Sequence, residues 1–234
     1  MKDNKRFNNI LGEEYELFRS VVYYYDKLEE TIAEKVSSFV NQDNLILLEI
    51  GAGSGITTDA VLGKLNYKVL IKAVDNEQKM LTQAEQILAD NLEQVELINS
   101  DILNYLRNTP DNYFDGVYSG WTIHNLKPEI RNNLFKEIGR VTKSGGFFVN
   151  GDKIAVNDGV QHQKNYDGFV KLLNKIGESG NHKLEQEWVR HYEEDELIKF
   201  TEQEQEKLLE NNGFSGTEFI FRELLDAVAV SKKK

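Results

Sequence analysis

The stretch Leu45-Ile46-Leu47-Leu48-Glu49-Ile50-Gly51-Ala52-Gly53-Ser54-Gly55 constrains the chain more than any other. Its first six residues, apolar but for one acid, suit a strand buried on both faces of a parallel sheet, which needs a crossover helix to reach its neighbour. Glycines directly after such a strand let the backbone turn tightly and approach a ligand at the sheet's carboxyl edge. Their spacing narrows the choice. A dinucleotide fingerprint would place its third glycine at position 56, where the chain has Ile56, and a P-loop needs a Gly-Lys-Ser/Thr that is missing. A cofactor loop, a plain tight turn and a degenerate nucleotide site remain open at this point.

The alternation continues downstream. The pattern predicts a helix over Thr57 to Leu65, a strand over Lys68 to Val74, a helix over Glu77 to Ala89 and strands over Gln94 to Asn99 and Phe114 to Ser119. A helix opening at Pro128 and a strand over Gly146 to Asn150 follow. Strands alternating with helices imply right-handed crossovers and an α/β, doubly wound, mostly parallel sheet. The runs Thr217 to Phe221 and Leu224 to Val230 pair as an antiparallel hairpin, completing seven strands, with Ser231 to Lys234 as a frayed end. Upstream, apolar residues from Tyr15 and Phe18 to Val36 and Phe39 recur in steps of three or four, so one long helix or two short ones form an N-terminal helical cap over residues 1–42. Residues 153–200 are polar and helical in pattern and read as an insertion covering one sheet edge, within a single domain over 1–234.

Composition removes several functions. Lys and Arg total 28 against 39 Asp and Glu, and the net charge of −11 counts against a long nucleic acid or an anionic membrane as partner, while a tRNA docked on a local basic patch stays open. With no cysteine, disulfides, thiolate nucleophiles, iron-sulfur clusters and sulfur-bound zinc are gone. No run approaches the ~18 apolar residues of a membrane span, and the first nine residues lack the apolar core of a signal peptide, so the cytoplasm is the expected compartment. Monomer and homodimer are both compatible with the sequence.

Further elements follow the glycine cluster in order. Asp75 ends the second strand, where a carboxylate can accept two hydrogen bonds from a ribose diol, although it can also cap the helix before Glu77. Asn76 and Met80 come next. Asn99-Ser100-Asp101-Ile102 closes the third strand, Phe114 to Leu126 leads a strand through Ser119 and Gly120 into a loop, and Ser144-Gly145-Gly146 precedes the fifth. In these five elements the chain resembles the class I S-adenosylmethionine-dependent methyltransferases, departing from them where Ser144 stands for the usual proline of the last turn.

The resemblance implies S-adenosyl-L-methionine as cofactor and methyl transfer to a small-molecule acceptor by in-line displacement, with no obligatory metal. It implies that Glu49, Gly51, Ala52 and Gly53 face the methionine and ribose portions, Asp75 the ribose hydroxyls, and Asn76, Met80, Asp101 and Ile102 the adenine, with Ser119 and Gly120 also binding the cofactor. Tyr25 can close over the amino-acid part or serve as a core aromatic. His124 is the candidate base, since its ordinary pKa lies near neutrality; it can equally pack under the loop of an enzyme that uses no base. His162, His182 and His191 are expected on the surface. Within the superfamily the chain is also similar to the carboxy-S-adenosylmethionine synthase branch of tRNA wobble-uridine modification, through Ala73-Val74-Asp75-Asn76 and Gly151-Asp152-Lys153. There an arginine at the place of Arg190 receives the extra carboxylate, but the residues after Arg190 here, His191-Tyr192-Glu193-Glu194-Asp195, depart from that branch, and a helix-surface ion pair is the plainer role. A nicotinamide-dependent or non-catalytic cofactor-binding protein is the remaining alternative.

Overall fold

The computed structural model describes residues 15–234, so the first fourteen residues of the expected cap lie outside it. The N-terminal apolar periodicity resolves into two helices, α1 (Tyr15–Val21) and α2 (Tyr25–Phe39). The buried face of α2 carries Tyr25, Leu28, Ile32, Ala33 and Val36, and among them one acid, Glu29. Then come β1 (Leu45–Ile50), α3 (Ile56–Lys64), β2 (Val69–Asp75), α4 (Gln78–Ile87), β3 (Val95–Asn99), α5 (Ile102–Arg107), β4 (Phe114–Gly120), α6 (Pro128–Val141) and β5 (Thr142–Lys153). The chain closes with α7 (Gly159–Glu178), α8 (His182–Glu196), α9 (Glu202–Asn211), β6 (Phe214–Glu223) and β7 (Asp226–Lys233).

The seven strands form one sheet in the order β3-β2-β1-β4-β5-β7-β6. The pairs among β1 to β5 are parallel, while β7 runs antiparallel between β5 and β6. One face packs Leu28, Ile32 and Val36 of α2, Val61 of α3 and Leu81 and Ala84 of α4 against Leu47, Ile71 and Val149. The other packs Leu106 of α5, Leu134, Phe135 and Ile138 of α6 and Leu209 of α9 against Leu48, Ile50, Val117 and Phe148. The doubly wound expectation therefore holds, and the strand order reverses between β1 and β4, the place where such sheets open a crevice.

Three details differ from the sequence-based expectation. Ser231 to Lys233 are not frayed: β7 continues through them, with Phe147 opposite Lys232, and the Lys233 amine donates to the Asn212 carbonyl at 2.7 Å. Neighbours on both sides supply ladder partners that composition does not reveal. The one-and-a-half-turn helix α5 was not expected; Asp101 caps it by accepting the Asn104 N–H at 3.0 Å. The segment 153–200 touches the edge strand β6, where the Arg222 guanidinium donates to the Ile154 carbonyl at 2.8 Å and Phe221 packs on its helices, but it covers more than that edge. Its α7 and α8 pack Phe169, Leu173, Trp188 and Tyr192 against Phe18, Val22 and Tyr25 of α1 and α2 and against Leu225 of the β6–β7 turn. None of the described helices is long and apolar enough to cross a membrane.

Candidate functional site

Because β1 is buried on both faces, its exit fixes the glycine loop. The N–H groups of Gly51 and Ala52 both donate to the Val74 carbonyl, at 2.9 and 3.1 Å, tying the loop to β2. Gly51 has φ of +74°, and a Cβ there would stand 2.1 Å from Thr122 Oγ1, so both its conformation and its surroundings demand glycine. Gly53, with φ of +54°, has nothing within 4 Å of a Cβ position except Met80 Cε at 3.8 Å, which leaves its backbone open to a ligand. Its N–H donates to Asp75 Oδ2 at 2.9 Å, and Glu77 N–H donates to Asp75 Oδ1 at 2.8 Å. Asp75 thus pins the loop and caps the following turn at once. Each of its oxygens keeps a lone pair for a further donor. Burial pushes its pKa up, against the N–H groups of Glu77, Gly53 and Asn76, which hold it down.

A cleft of about 220 Å³ opens above the carboxyl ends of β1, β2 and β4. Of the residues predicted from sequence, Tyr25, Gly51, Ala52, Gly53, Asp75, Asn76, Met80 and Gly120 line it. The structure does not bring the others there. Ser119 is buried and donates to the Ile50 carbonyl at 2.9 Å, stitching β4 to β1. Asp101 is exposed at its helix cap, and Ile102 packs against the sheet. Arg190 projects into solvent from α8, ion-paired with Glu187 at 2.5 Å and Glu194 at 3.7 Å. His124 is buried beneath the loop: its backbone N–H donates to Asp152 Oδ2 at 3.0 Å and its Nδ1 lies 2.5 Å from Asp152 Oδ1. It lines a second, smaller cavity with Lys153, His162 and Asp195. His162 and His191, expected at the surface, are buried, whereas His182 is exposed.

Glu49 also stays below the cleft, fully buried. Its Oε2 accepts from the Thr58 hydroxyl and, at 3.1 Å, from Tyr118 OH, while Oε1 has no partner among the described residues. Sequence reasoning missed the acid that does reach the cleft, Glu29, one helical turn after Tyr25. The buried stripe of α2 was the available signal. Glu29 Oε1 accepts from Thr57 Oγ1 at 3.1 Å, and Oε2 has no described partner. Burial pushes Glu29 up to about 7 and Glu49 up to about 8. A second missed residue is Trp121, whose φ of +44° is strained for a side-chain-bearing residue. Its backbone N–H is held by the Gly151 carbonyl at 2.8 Å, its indole donates to buried Asp226 at 2.9 Å, and its ring stacks on Tyr25 at 4.2 Å. That stack forms one wall of the cleft.

The lining includes Glu29, Asp75 and Glu77 but, among the described residues, no lysine, arginine or histidine. Backbone N–H groups, a carboxylate with spare lone pairs, orphaned acidic oxygens and an aromatic wall match a ligand that is cationic, carries a diol and presents a flat ring. S-adenosylmethionine is such a ligand, and these residues fit it.

Residues 47–146 match the family model described as a methyltransferase domain. The chain is 26% identical over 232 residues to a carboxy-S-adenosyl-L-methionine synthase of Sulfurimonas denitrificans, covering 94% of this chain and 95% of that one. It is 25% identical, over the same shares, to the synthase of Nautilia profundicola. Among solved structures, an S-adenosylmethionine-dependent methyltransferase of Archaeoglobus fulgidus superposes with a TM-score of 0.62 at 15% identity, covering 89% of this chain and 94% of that one. An O-methyltransferase family protein of Burkholderia thailandensis gives 0.67 at 11% identity, over 98% of this chain and 62% of that one, so the fold is shared.

Proposed function

From a chain whose residues 47–146 carry a methyltransferase domain of the class I S-adenosylmethionine-dependent superfamily, we propose a cytoplasmic enzyme that methylates a small acceptor, neutral or cationic rather than anionic. The observation that carries this reading is the cleft lining, acidic at Glu29, Asp75 and Glu77 and without a basic side chain among the described residues. An anionic acceptor would meet no counter-charge there, and burying an unpaired charge is costly. We assign the whole of 1–234 to one cofactor-binding domain, with the helices before residue 42 and the segment 153–200 on the acceptor side.

When bound, the cofactor supplies an electrophilic methyl on a cationic sulfur that leaves as a neutral thioether when the new bond forms. The protein's part is to hold both partners in line and dry. The Gly51 to Gly53 backbone and Asp75 would hold the amino-acid and ribose portions, and Asn76 and Met80 would flank the adenine. Tyr25 and Trp121 would wall off the acceptor. Glu29, with a pKa near 7 and an unpartnered oxygen, is better poised than His124 to take a proton from the acceptor.

Calorimetry with S-adenosylmethionine and S-adenosylhomocysteine is the direct test, followed by a mass-spectrometric screen of metabolites for a 14-dalton gain (one CH₂). Absence of binding at millimolar cofactor would overturn the proposal. A second reading, production of carboxy-S-adenosylmethionine, has support in the names of relatives that span nearly the whole chain. Against it stands Arg190, which pairs with glutamates on the solvent face of α8. A prephenate-dependent increase in cofactor mass would decide in favour of that second reading.

A further inference from the structure

The histidines and carboxylates around the second cavity form a cluster that methyl transfer does not use. Helix α8 places His191 and Asp195 one turn apart on its buried face, opposite His124 in the short turn after β4. His124 Nε2 lies 3.6 Å and His191 Nε2 3.5 Å from the same oxygen, Asp195 Oδ2. All three potential ligand atoms fall within 4.8 Å of one another. The two distances to Asp195 Oδ2 lie at or just past the limit of a hydrogen bond. They are close to the roughly 3.4 Å expected between ligand atoms that each sit about 2.0–2.1 Å from a tetrahedral metal ion.

A second observation points the same way. His124 Nδ1 is 2.5 Å from Asp152 Oδ1, and Asp152 is fully buried. That bond puts the proton on Nδ1 and turns the Nε2 lone pair toward Asp195 and His191. A carboxylate orienting a histidine from behind is the arrangement that metal-bound histidines show. Beside the cluster, buried His162 leaves Nδ1 without a partner among the described residues, and it lines the same small cavity of about 10 Å³, room for a single water or ion. Lys153 Nζ also approaches Asp195 Oδ2, at 3.4 Å, so ammonium and metal compete for one carboxylate.

We propose that His124, His191 and Asp195 bind a divalent transition-metal ion, zinc by preference, with the fourth coordination position facing the small cavity. Two imidazoles and one carboxylate suit zinc, cobalt or nickel and disfavour calcium and magnesium, which take oxygen ligands. No sulfur is needed, so the lack of cysteine is no obstacle. The ion staples α8 to the turn after β4, and thereby to the loop from Thr122 to Leu126 that borders the cleft.

The test uses tag-free, chelator-stripped full-length protein titrated with zinc chloride, with metal content measured after dialysis. The expected result is one zinc per chain with Kd below about 1 µM, and visible d–d bands of four-coordinate cobalt on substitution. His191→Ala and Asp195→Asn should each weaken binding at least about 100-fold, while His182→Ala, which removes an exposed histidine of the same helix, should leave it unchanged. The near-isosteric Asp195→Asn decides the matter where His191→Ala fails to fold. Wild-type protein that takes up no zinc, cobalt or nickel at 100 µM overturns the proposal. So does undiminished binding by Asp195→Asn, or loss of binding in His182→Ala.

Discussion

Two cavities among the described residues treat buried carboxylates in opposite ways. Beside the glycine loop, Glu29 and Glu49 are buried with hydroxyl donors but no cation in the lining, each keeps an orphaned oxygen, and both titrate near or above neutrality. Around the second cavity, Asp152 and Asp195 are as deeply buried but are surrounded by His124, His191 and Lys153. In the first arrangement the nearest cation, Arg19, lies outside the lining over the Tyr25 ring, and its attraction does not offset the burial of Glu29. The second already contains a cation, Lys153, and it joins the helices of residues 153–200 to the sheet.

The largest effect should come from breaking the second region where a cation is committed outright. Arg131 of α6 is fully buried; it donates to both Glu204 oxygens and to the carbonyls of Leu126, Ile198 and Lys199, at 2.8 to 3.2 Å. Arg131→Ala strands those acceptors and should cost about 3–5 kcal/mol in denaturant unfolding. A loss below about 1 kcal/mol would show that the 198–204 segment is not anchored through this side chain. Next in size is a test of the first region. Asp75→Ala removes the carboxylate that pins Gly53 and keeps lone pairs for a diol, and should weaken S-adenosylmethionine binding by about 1.5–3 kcal/mol, roughly 10- to 150-fold in Kd, by calorimetry. Unchanged affinity would leave Asp75 as a turn cap only.

The same contrast explains what the sequence disclosed. The β1 run, the glycines after it and the acid at the tip of β2 are local signals, because strand burial, tight turning and ligand approach each demand particular residue types within a few positions. They located the cleft and six of its lining residues, Gly51, Ala52, Gly53, Asp75, Asn76 and Met80. Glu49 and Ser119 were misplaced because a strand's alternation does not say which side chains reach the end of the sheet; both lie below its rim. His191 and Arg190 are adjacent in sequence yet face opposite sides of α8, one toward Asp195 and one toward solvent. Which face of a polar helix is buried depends on the partner it meets, here α1 and α2, and that partnership is set by tertiary packing. Glu29 was hidden for the converse reason, as the polar exception on an otherwise apolar stripe.

Proton linkage offers a third, smaller test. Glu29 and Glu49 have folded pKa values raised above the ordinary carboxylate value of 4.5. Below that value both states are protonated and the two residues are neutral to stability. As pH climbs from about 4.5 toward 8 the unfolded chain releases these protons first, so their contribution disfavours the folded state. A cationic ligand beside Glu29 reverses the preference by stabilising the carboxylate. S-adenosylmethionine affinity should therefore rise between pH 6 and 8, by up to about tenfold per pH unit for one proton released, and the slope should flatten in Glu29→Gln. A wild-type slope retained in Glu29→Gln would move the linked proton to another group.

The smallest expected effect is the one that most cleanly separates the two regions. Arg190→Ala removes an exposed side chain whose partners, Glu187 and Glu194, sit on its own helix. Exposed pairs of this kind contribute little because solvent screens them and holding the long side chain costs entropy. Neither Tm nor cofactor affinity should move beyond error. A carboxylated cofactor would instead require a cation against its extra carboxylate, and the cleft lining has none among the described residues. Loss of affinity for such a cofactor in Arg190→Ala, with S-adenosylmethionine binding intact, would mean that α8 swings its solvent face into the cleft. It would also place the acceptor-side chemistry on the insertion rather than on α2.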